Sequence, residues 1–402
     1  MTPGSGRAGE GGALLIAAQS GRALAAAARR AGFRPYVADM FGDDDTLALT
    51  DAWQRLPGRF GRGAEGESVD AVLDELAKAA GDHPLGLVLG SGFEGAPHVV
   101  ARLARRFRLL GASAETIRHL KDPFRLAALL ADLGVPHPPL TADAVPDPAA
   151  WLSKRRGGSG GGHVRPAGPG APLRGRYHQR RVPGRPVSIA FLADGRDALW
   201  VGASEQWTAP APGRPYRFAG ALEPISIGEG MRCEMEAALR AIVARTGLRG
   251  LAGADCLVEG GRWWLLEINP RPGGSLDVLD RRATPLLGRH VEACLGHLGA
   301  PEPPPARIAA TRILYAGRPC VVPPAPWPDG VMDRTPAGSV IGPGDPVCTL
   351  WAEAGDRAGA LAGLDRREAA VWAMFSGDGD HEYQTGGTPA PERERACGGA
   401  GR

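Results

Sequence analysis

The stretch WWLLEINPRPGGSLD, residues 263–277, carries an apolar run straight into Glu267, Asn269 and Arg271, with a proline beside each of the last two. Residues at i and i+2 of a strand share one face, so Glu267 and Asn269 point together. Asp255 lies twelve positions before Glu267, across Gly260-Gly261. A two-residue turn there would pair Asp255 with Leu266 and turn it away from Glu267. A three-residue turn over Glu259, Gly260 and Gly261 pairs it with Leu265, diagonal to Glu267 on the same face. Glycine supplies the left-handed residue that such a turn wants, so the odd-length turn is the expectation. Asp255, Glu267 and Asn269 then form a hard-cation site suited to Mg²⁺ completed by phosphate oxygens. Without a cation, carboxylates that close repel and raise one pKa.

The rest of the 402-residue chain sets limits on this reading. Hydrophobic residues are 43% and charged residues 23%, ordinary for a globular protein with room for two or three domains. A formal charge of +3 without a basic block argues against nucleic-acid or anionic-membrane partners. The cysteines, at 233, 256, 294, 320, 348 and 397, have no CxxC or metal-type spacing, as expected in a reducing cytoplasm. ALLIAA is too short to span a bilayer.

Upstream, strands and helices alternate. ALLIAAQ (13–19) precedes a helix with Ser20 as the expected N-cap and Gly32 as its left-handed end. PYVAD (35–39), the helix SVDAVLDELAKAA and the strand LGLVLGSGFE (85–94) follow. This alternation predicts a three-layer parallel-sheet α/β domain. QSGRAL is not GxGxxG, so a dinucleotide site at the first turn is not expected. In LKDPFRLAALLADLGVPHPPLT, Asp122 caps a helix, Pro123 starts it and Gly134 stops it. From 151 the pattern becomes strands, with a helix near 231–246, another in ATPLLGRHVEACLGHLG, a PEPPPA linker (301–306) and further β sequence at 309–352.

Two further segments bear on phosphate binding. KRRGGSGGGHV (154–164) can form a loop whose backbone N–H groups approach phosphates, with Lys154 adding a point charge. It lacks the GK[ST] ending of a Walker A loop. HQRRVPGRPVSIAF (178–191) reads as a bend between strands.

In order and spacing, LKDPFRLAALLADLGVPHP, the strand-Lys-glycine loop, QRRVPGRPVS and Asp255…Glu267-x-Asn269-x-Arg271 resemble the ATP-grasp superfamily over roughly residues 1–300. Within it the chain looks most like a branch of predicted carboxylate–amine ligases or carboligases related to biotin carboxylase. The resemblance implies an α/β then α+β chain. Residues 1–110 would be a pre-ATP-grasp α/β domain, 111–300 a two-lobed ATP-grasp domain, 309–352 a small β-rich segment and 376–402 a disordered tail.

It also implies ATP with Mg²⁺ or Mn²⁺, one or two ions held by Asp255, Glu267 and Asn269. Lys121 and Lys154 would contact phosphates, and the loop Gly158, Ser159, Gly160 and Gly161 would close over them. Gln179, Arg180, Arg181 and Val182 would lie along the adenine, and Arg271 would stabilise an acylphosphate. Two departures stand out: Lys121-Asp122 reverses the more usual Asp-Lys order, and His163 follows the glycine loop where a basic residue is common.

The implied activity is ATP-dependent activation of a carboxylate for attack by an amine, with glutamate addition in one-carbon cofactor biosynthesis as one setting. The alternatives are a carboligase using bicarbonate and a nucleotide-binding protein without turnover. Partners would be small-molecule carboxylates and amines in the cytoplasm, with the C-terminal segment packing on the grasp or supporting a homodimer. Arg22, Glu94, Arg214 and Arg217 lie in loops (20–22, 90–94, 211–220) expected to face substrate.

Overall fold

A computed structural model describes residues 11–376 apart from 62, 65–67 and 82. The tail expected beyond 376 lies outside the described residues. The N-terminal sheet is parallel, in the order Ala52–Arg55, Arg34–Asp39, Ala13–Ala17, Gly86–Leu89. Leu14, Leu15 and Ile16 are fully buried, because helices cover both faces of the sheet.

The turn after the first strand differs from expectation. Gly21, not Ser20, precedes the helix Arg22–Arg30, and no side chain caps it. Ser20 Oγ instead donates to Asp333, while the Gly21 N–H donates to Asp39 Oδ2 at 2.9 Å. A carboxylate from the second strand thus takes the N–H that a bound phosphate would need. Gly32 has φ 79°, as its role in ending that helix requires.

Asp122 caps the helix Pro123–Asp132 by accepting from the N–H groups of Phe124 and Arg125. Such a cap stabilises by about 1 kcal/mol. Leu126, Leu129 and Leu130 form the buried stripe.

Two antiparallel sheets follow. The smaller runs Leu140–Thr141, Arg176–Arg180, Trp151–Arg155, Arg165–Pro166. The larger has eight strands and begins at one edge with the hairpin Arg262–Asn269 and Arg249–Glu259. It continues through Arg185–Asp194, Ala198–Thr208 and Phe218–Glu223 to Ile308–Tyr315, Pro346–Ala354 and Val331–Met332. The β sequence at 309–352 extends the central sheet, and the helix Arg357–Phe375 packs on it. No helix among the described residues is long and apolar enough to cross a membrane.

The hairpin corrects the turn expectation. Glu259 pairs with Arg262, so the turn has two residues, Gly260 at φ 54° and Gly261 at φ 77°. Two left-handed residues suit a tight hairpin turn and favour glycine. Farther down, a β-bulge shifts the register between Asp255 and Cys256, so Asp255 pairs with Glu267 and Leu266 is the extra residue. The bulge supplies the one-residue offset expected from the turn.

Candidate functional site

The bulge turns Leu266 and Glu267 into a cleft between the two antiparallel sheets, while Trp263, Leu265 and Ile268 are buried in the core. Asp255 and Glu267, directly opposite and both half-buried, carry the charge. Asp255 accepts from Ser188 Oγ at 2.7 Å and from Asn269 Nδ2 at 2.9 Å. Ser188 comes from the neighbouring strand, where it pairs with Asp255. Lys121 Nζ lies 3.1 Å from Glu267 Oε2 and 3.1 Å from Asn269 Oδ1.

Lys154 completes the set from the smaller sheet. It pairs with Tyr177, and Leu152 with Gln179, which puts these four side chains on one face. Lys154 is buried, and that burial pushes its ammonium down against the raising pull of Glu267 and Asp255.

The electrostatics follow from this crowding. Burial and the neighbouring Glu267 raise the Asp255 carboxyl to about 6. Burial opposes ionisation of Glu267 too, but the ammoniums of Lys121 and Lys154 outweigh it and hold that carboxyl low. One acid is thus raised and its partner lowered, as two apposed carboxylates sharing cations require.

The donor set fits a divalent cation. No group of three or more His, Cys, Asp or Glu is placed for a metal among the described residues. The fit rests on two carboxylates in register and an amide oxygen, with the Lys121 ammonium bridging Glu267 and Asn269 as a cation would.

The cleft has an apolar end and a charged end. Leu126, Leu130, Leu140 and Tyr177 line the first, Lys121, His163 and Glu267 the second, and Gln179 faces in as well. Arg180, Arg181 and Val182 are not among the lining residues. The N–H groups of Arg180 and Arg181 donate to Pro139 and Ala150 carbonyls.

Gly157 and Gly158 line the cleft. A Cβ on Gly158 would run into the His163 ring, and one on Gly161 into the Tyr216 carbonyl oxygen. The loop is tied down where Phe218 N–H donates to Gly160 O at 3.0 Å. Ser159, Gly160 and Gly161 lie beyond the lining. Burial lowers His163 to about 4, so its ring is neutral near pH 7 and accepts at Nδ1 from the Arg155 N–H.

Arg271 leaves the strand on the other side. Its Nε donates to Glu94 Oε1 at 2.7 Å and its Nη1 to the Pro272 carbonyl at 3.0 Å. Of the other residues expected to face substrate, Arg22 is buried in a bidentate pair with Asp277 (2.6 Å) and also bonds Asp333 at 3.0 Å. Arg217 is buried, with its guanidinium 3.6 Å from the Tyr315 ring centroid, and Arg214 is exposed. Arg22 and Arg217 therefore hold the fold together.

Sequence reasoning missed Ser188, Leu266 and Tyr177. Ser188 left a signal, as a hydroxyl within the apolar run VSIAFLA. Leu266 left none, because its role comes from the bulge.

The comparisons agree with this architecture. A family model described as the ATP-grasp domain matches residues 120–275. No curated protein matches the sequence. Among solved structures, a biotin carboxylase β,γ-ATP complex from Campylobacter jejuni aligns with TM-score 0.67 and 15% identity, over 87% of this chain and 89% of that one. N5-carboxyaminoimidazole ribonucleotide synthetase from Thermus thermophilus gives 0.63 and 17%, covering 90% and 98%. An L-amino acid ligase from Bacillus licheniformis gives 0.64 and 14%, covering 90% and 98%. At such identities the likeness is one of fold. The segment matched by the family model holds Lys121, Lys154, Asp255, Glu267 and Asn269, and residues 120–275 are an ATP-grasp domain.

Proposed function

We propose that this chain is an ATP-dependent ligase that activates a carboxylate for attack by an amine. One observation carries the reading: Asp255 and Glu267 sit in register, Lys121 bridges Glu267 and Asn269, and Lys121 and Glu267 line the charged end of a cleft whose other end is apolar. Adenine would occupy the apolar end near Gln179 and Tyr177. The triphosphate would reach Lys121, Lys154 and the N–H groups of the glycine loop. Asp255, Glu267 and Asn269 would hold Mg²⁺ or Mn²⁺, which when bound neutralises charge developing on the β- and γ-phosphates.

The chain's own residues account for the remaining steps. Lys121 leaves Glu267 for phosphate oxygens, and the neutral His163 backs the loop without adding charge. A substrate carboxylate oxygen forms a bond to the γ-phosphorus as the bond to the β-phosphate oxygen breaks, and ADP departs with that electron pair. The amine then attacks the acylphosphate carbonyl and phosphate leaves. Arg271, fixed by Glu94, offers its remaining guanidinium edge to the oxyanion.

The similar structures include a carboxylase and an amino acid ligase, so the test has to separate bicarbonate from an organic acid as the activated group. Phosphate and ADP are measured with panels of acids and amines, with and without bicarbonate. Turnover that needs an organic acid and an amine supports the reading. Turnover that needs bicarbonate alone replaces it with a carboligase.

A further inference from the structure

Between Asp147 and Asp194 the chain has no acidic residue, yet it carries eight arginines beside Lys154. Among the described residues two of these arginines have carboxylate partners: Arg156 lies 3.4 Å from Asp122, and Arg185 lies 3.0 Å from Glu205. Lys154 and Tyr177 share the cleft face of the smaller sheet, so alternation puts Ser153, Arg155 and Arg176 on its outer face. Arg155 pairs directly with Arg176, and on the other flank of the same strand Ser153 pairs with Arg165. Three arginines thus surround one serine, and none of them forms an ion pair among the described residues. Like charges set directly opposite one another destabilise a sheet.

Two of the three are oriented by the backbone and keep donors to spare. Arg176 Nε donates to Ser153 Oγ at 2.8 Å, and its Nη2 donates to the Ser153 and His163 carbonyls at 2.7 Å each. That fixes the guanidinium plane and leaves Nη1 without a protein acceptor. Arg155, which also borders the cleft at the end of its strand, donates Nη2 to the Gly61 carbonyl at 2.8 Å. Arg165 is exposed, and its guanidinium bonds no protein atom among the described residues. Burial, with Arg165 and Arg155 alongside, pushes the Arg176 guanidinium below the ordinary arginine value.

We propose that this outer face binds one phosphate dianion, free or as a phosphomonoester, between Arg155, Arg165 and Arg176. Planar guanidiniums match the oxygens of a tetrahedral anion. Three fixed positive charges with no acid beside them suit a dianion better than a carboxylate, which a single arginine satisfies. The site also reaches the glycine loop from behind. Arg176 holds the His163 carbonyl, the Arg155 N–H donates to His163 Nδ1, and the His163 ring packs on Gly158. An anion that relieves the repulsion between Arg155 and Arg176 steadies the strand ends that carry this loop. Phosphate outside and nucleotide inside therefore strengthen each other's binding. That the loop closes on a nucleotide rests on the ligase reading above; the phosphate site does not.

The experiment is isothermal titration of the full chain with inorganic phosphate, glycerol 3-phosphate and acetate at matched ionic strength, on the wild type, Arg165→Gln, Arg165→Glu and Lys154→Met. Phosphate should bind and acetate should not. Arg165→Gln should weaken phosphate about ten-fold and Arg165→Glu should abolish its binding, whereas Lys154→Met, on the cleft face, should stay within about three-fold of wild type. Neither Arg165 variant should melt below the wild type in phosphate-free buffer, because each removes a repulsion. Glycerol 3-phosphate binding like phosphate identifies an ester as the ligand, and phosphate binding alone identifies the free ion; both support the site. In a fluorescent-ATP titration, saturating phosphate should tighten nucleotide binding at least about five-fold in the wild type and leave Arg165→Glu unchanged. Acetate acting like phosphate overturns the proposal, since simple screening then explains it. So does wild-type phosphate affinity in Arg165→Glu, or phosphate that competes with nucleotide, which places the ion in the cleft. The two readings fail separately. Acid- and amine-dependent ATP turnover without phosphate binding at Arg165 removes the outer site and leaves the ligase, whereas phosphate binding lost in Arg165→Glu, without ATP cleavage for any acid–amine pair, does the reverse.

Discussion

Replacing Glu267 with glutamine tests whether the charges around the hairpin act as one unit. The change removes the carboxylate 3.1 Å from Lys121 Nζ and leaves the Lys121 and Lys154 ammoniums buried beside a neutral amide. At this separation an ion pair has about 5 kcal/mol of direct attraction at an effective dielectric of 20. Breaking a fully buried pair typically costs about 3–5 kcal/mol. Glu267 keeps 30% of its side chain in solvent and Asp255 remains nearby, so about 2 kcal/mol is expected here.

The assay is urea unfolding of the ligand-free protein for the wild type, Glu267→Gln, Lys121→Met and the double variant. Each single change should lower stability by about 2 kcal/mol, and the double should recover at least about 1 kcal/mol of the sum, because the removed groups had neutralised one another. Additive effects, or a Glu267→Gln protein within about 0.5 kcal/mol of wild type, would refute the coupled-charge description.

Three other outcomes follow from particular residues. Asp43 is buried near Asp333, Asp39 and Asp45, and burial with those acids raises its carboxyl to about 8. A carboxyl raised on folding contributes stability that is full below its unfolded pKa and is lost as pH rises through about 8. Asp43→Asn should therefore flatten the loss of stability between pH 5 and pH 9 in a series of thermal melts, and an unchanged profile would show that Asp43 does not titrate there. Gly161→Ala forces a Cβ toward the Tyr216 carbonyl at φ 70°, and should lower nucleotide affinity in a fluorescent-ATP titration by about ten-fold, equivalent to about 1.4 kcal/mol. At the hairpin turn, Gly260→Asn should be nearly neutral because asparagine accepts φ near 54°, while Gly260→Val should cost about 1–2 kcal/mol by urea unfolding.

The sequence made the parts of the site legible better than their assembly. Asp122 and Pro123 announced a helix start because capping is local, and the structure has both bonds. Ser20 misled because a long-range contact with Asp333 took its hydroxyl. The shared face of Asp255 and Glu267 was read correctly for a wrong reason. Period-two alternation required a one-residue offset, but nothing local distinguishes a longer turn from a bulge at Leu266. The Lys121 bridge to Glu267 and Asn269 joins residues 146 and 148 positions apart, beyond any pattern in the chain. Arg22 looked like a substrate contact because it lies on an exposed-looking turn; its partners Asp277 and Asp333 come from segments that only the fold brings near. That the strands after 308 join the central sheet edge to edge was not legible, because strand pairing leaves no sequence mark.

The most direct test of the central claim is hydroxylamine trapping. The protein is incubated with ATP, Mg²⁺, hydroxylamine and a panel of carboxylic acids, and acyl hydroxamate is measured beside the nucleotide products. The account predicts hydroxamate formed in step with ADP and phosphate for at least one acid, and its loss in Glu267→Gln. AMP with pyrophosphate, or nucleotide bound but uncleaved across the panel, would contradict it.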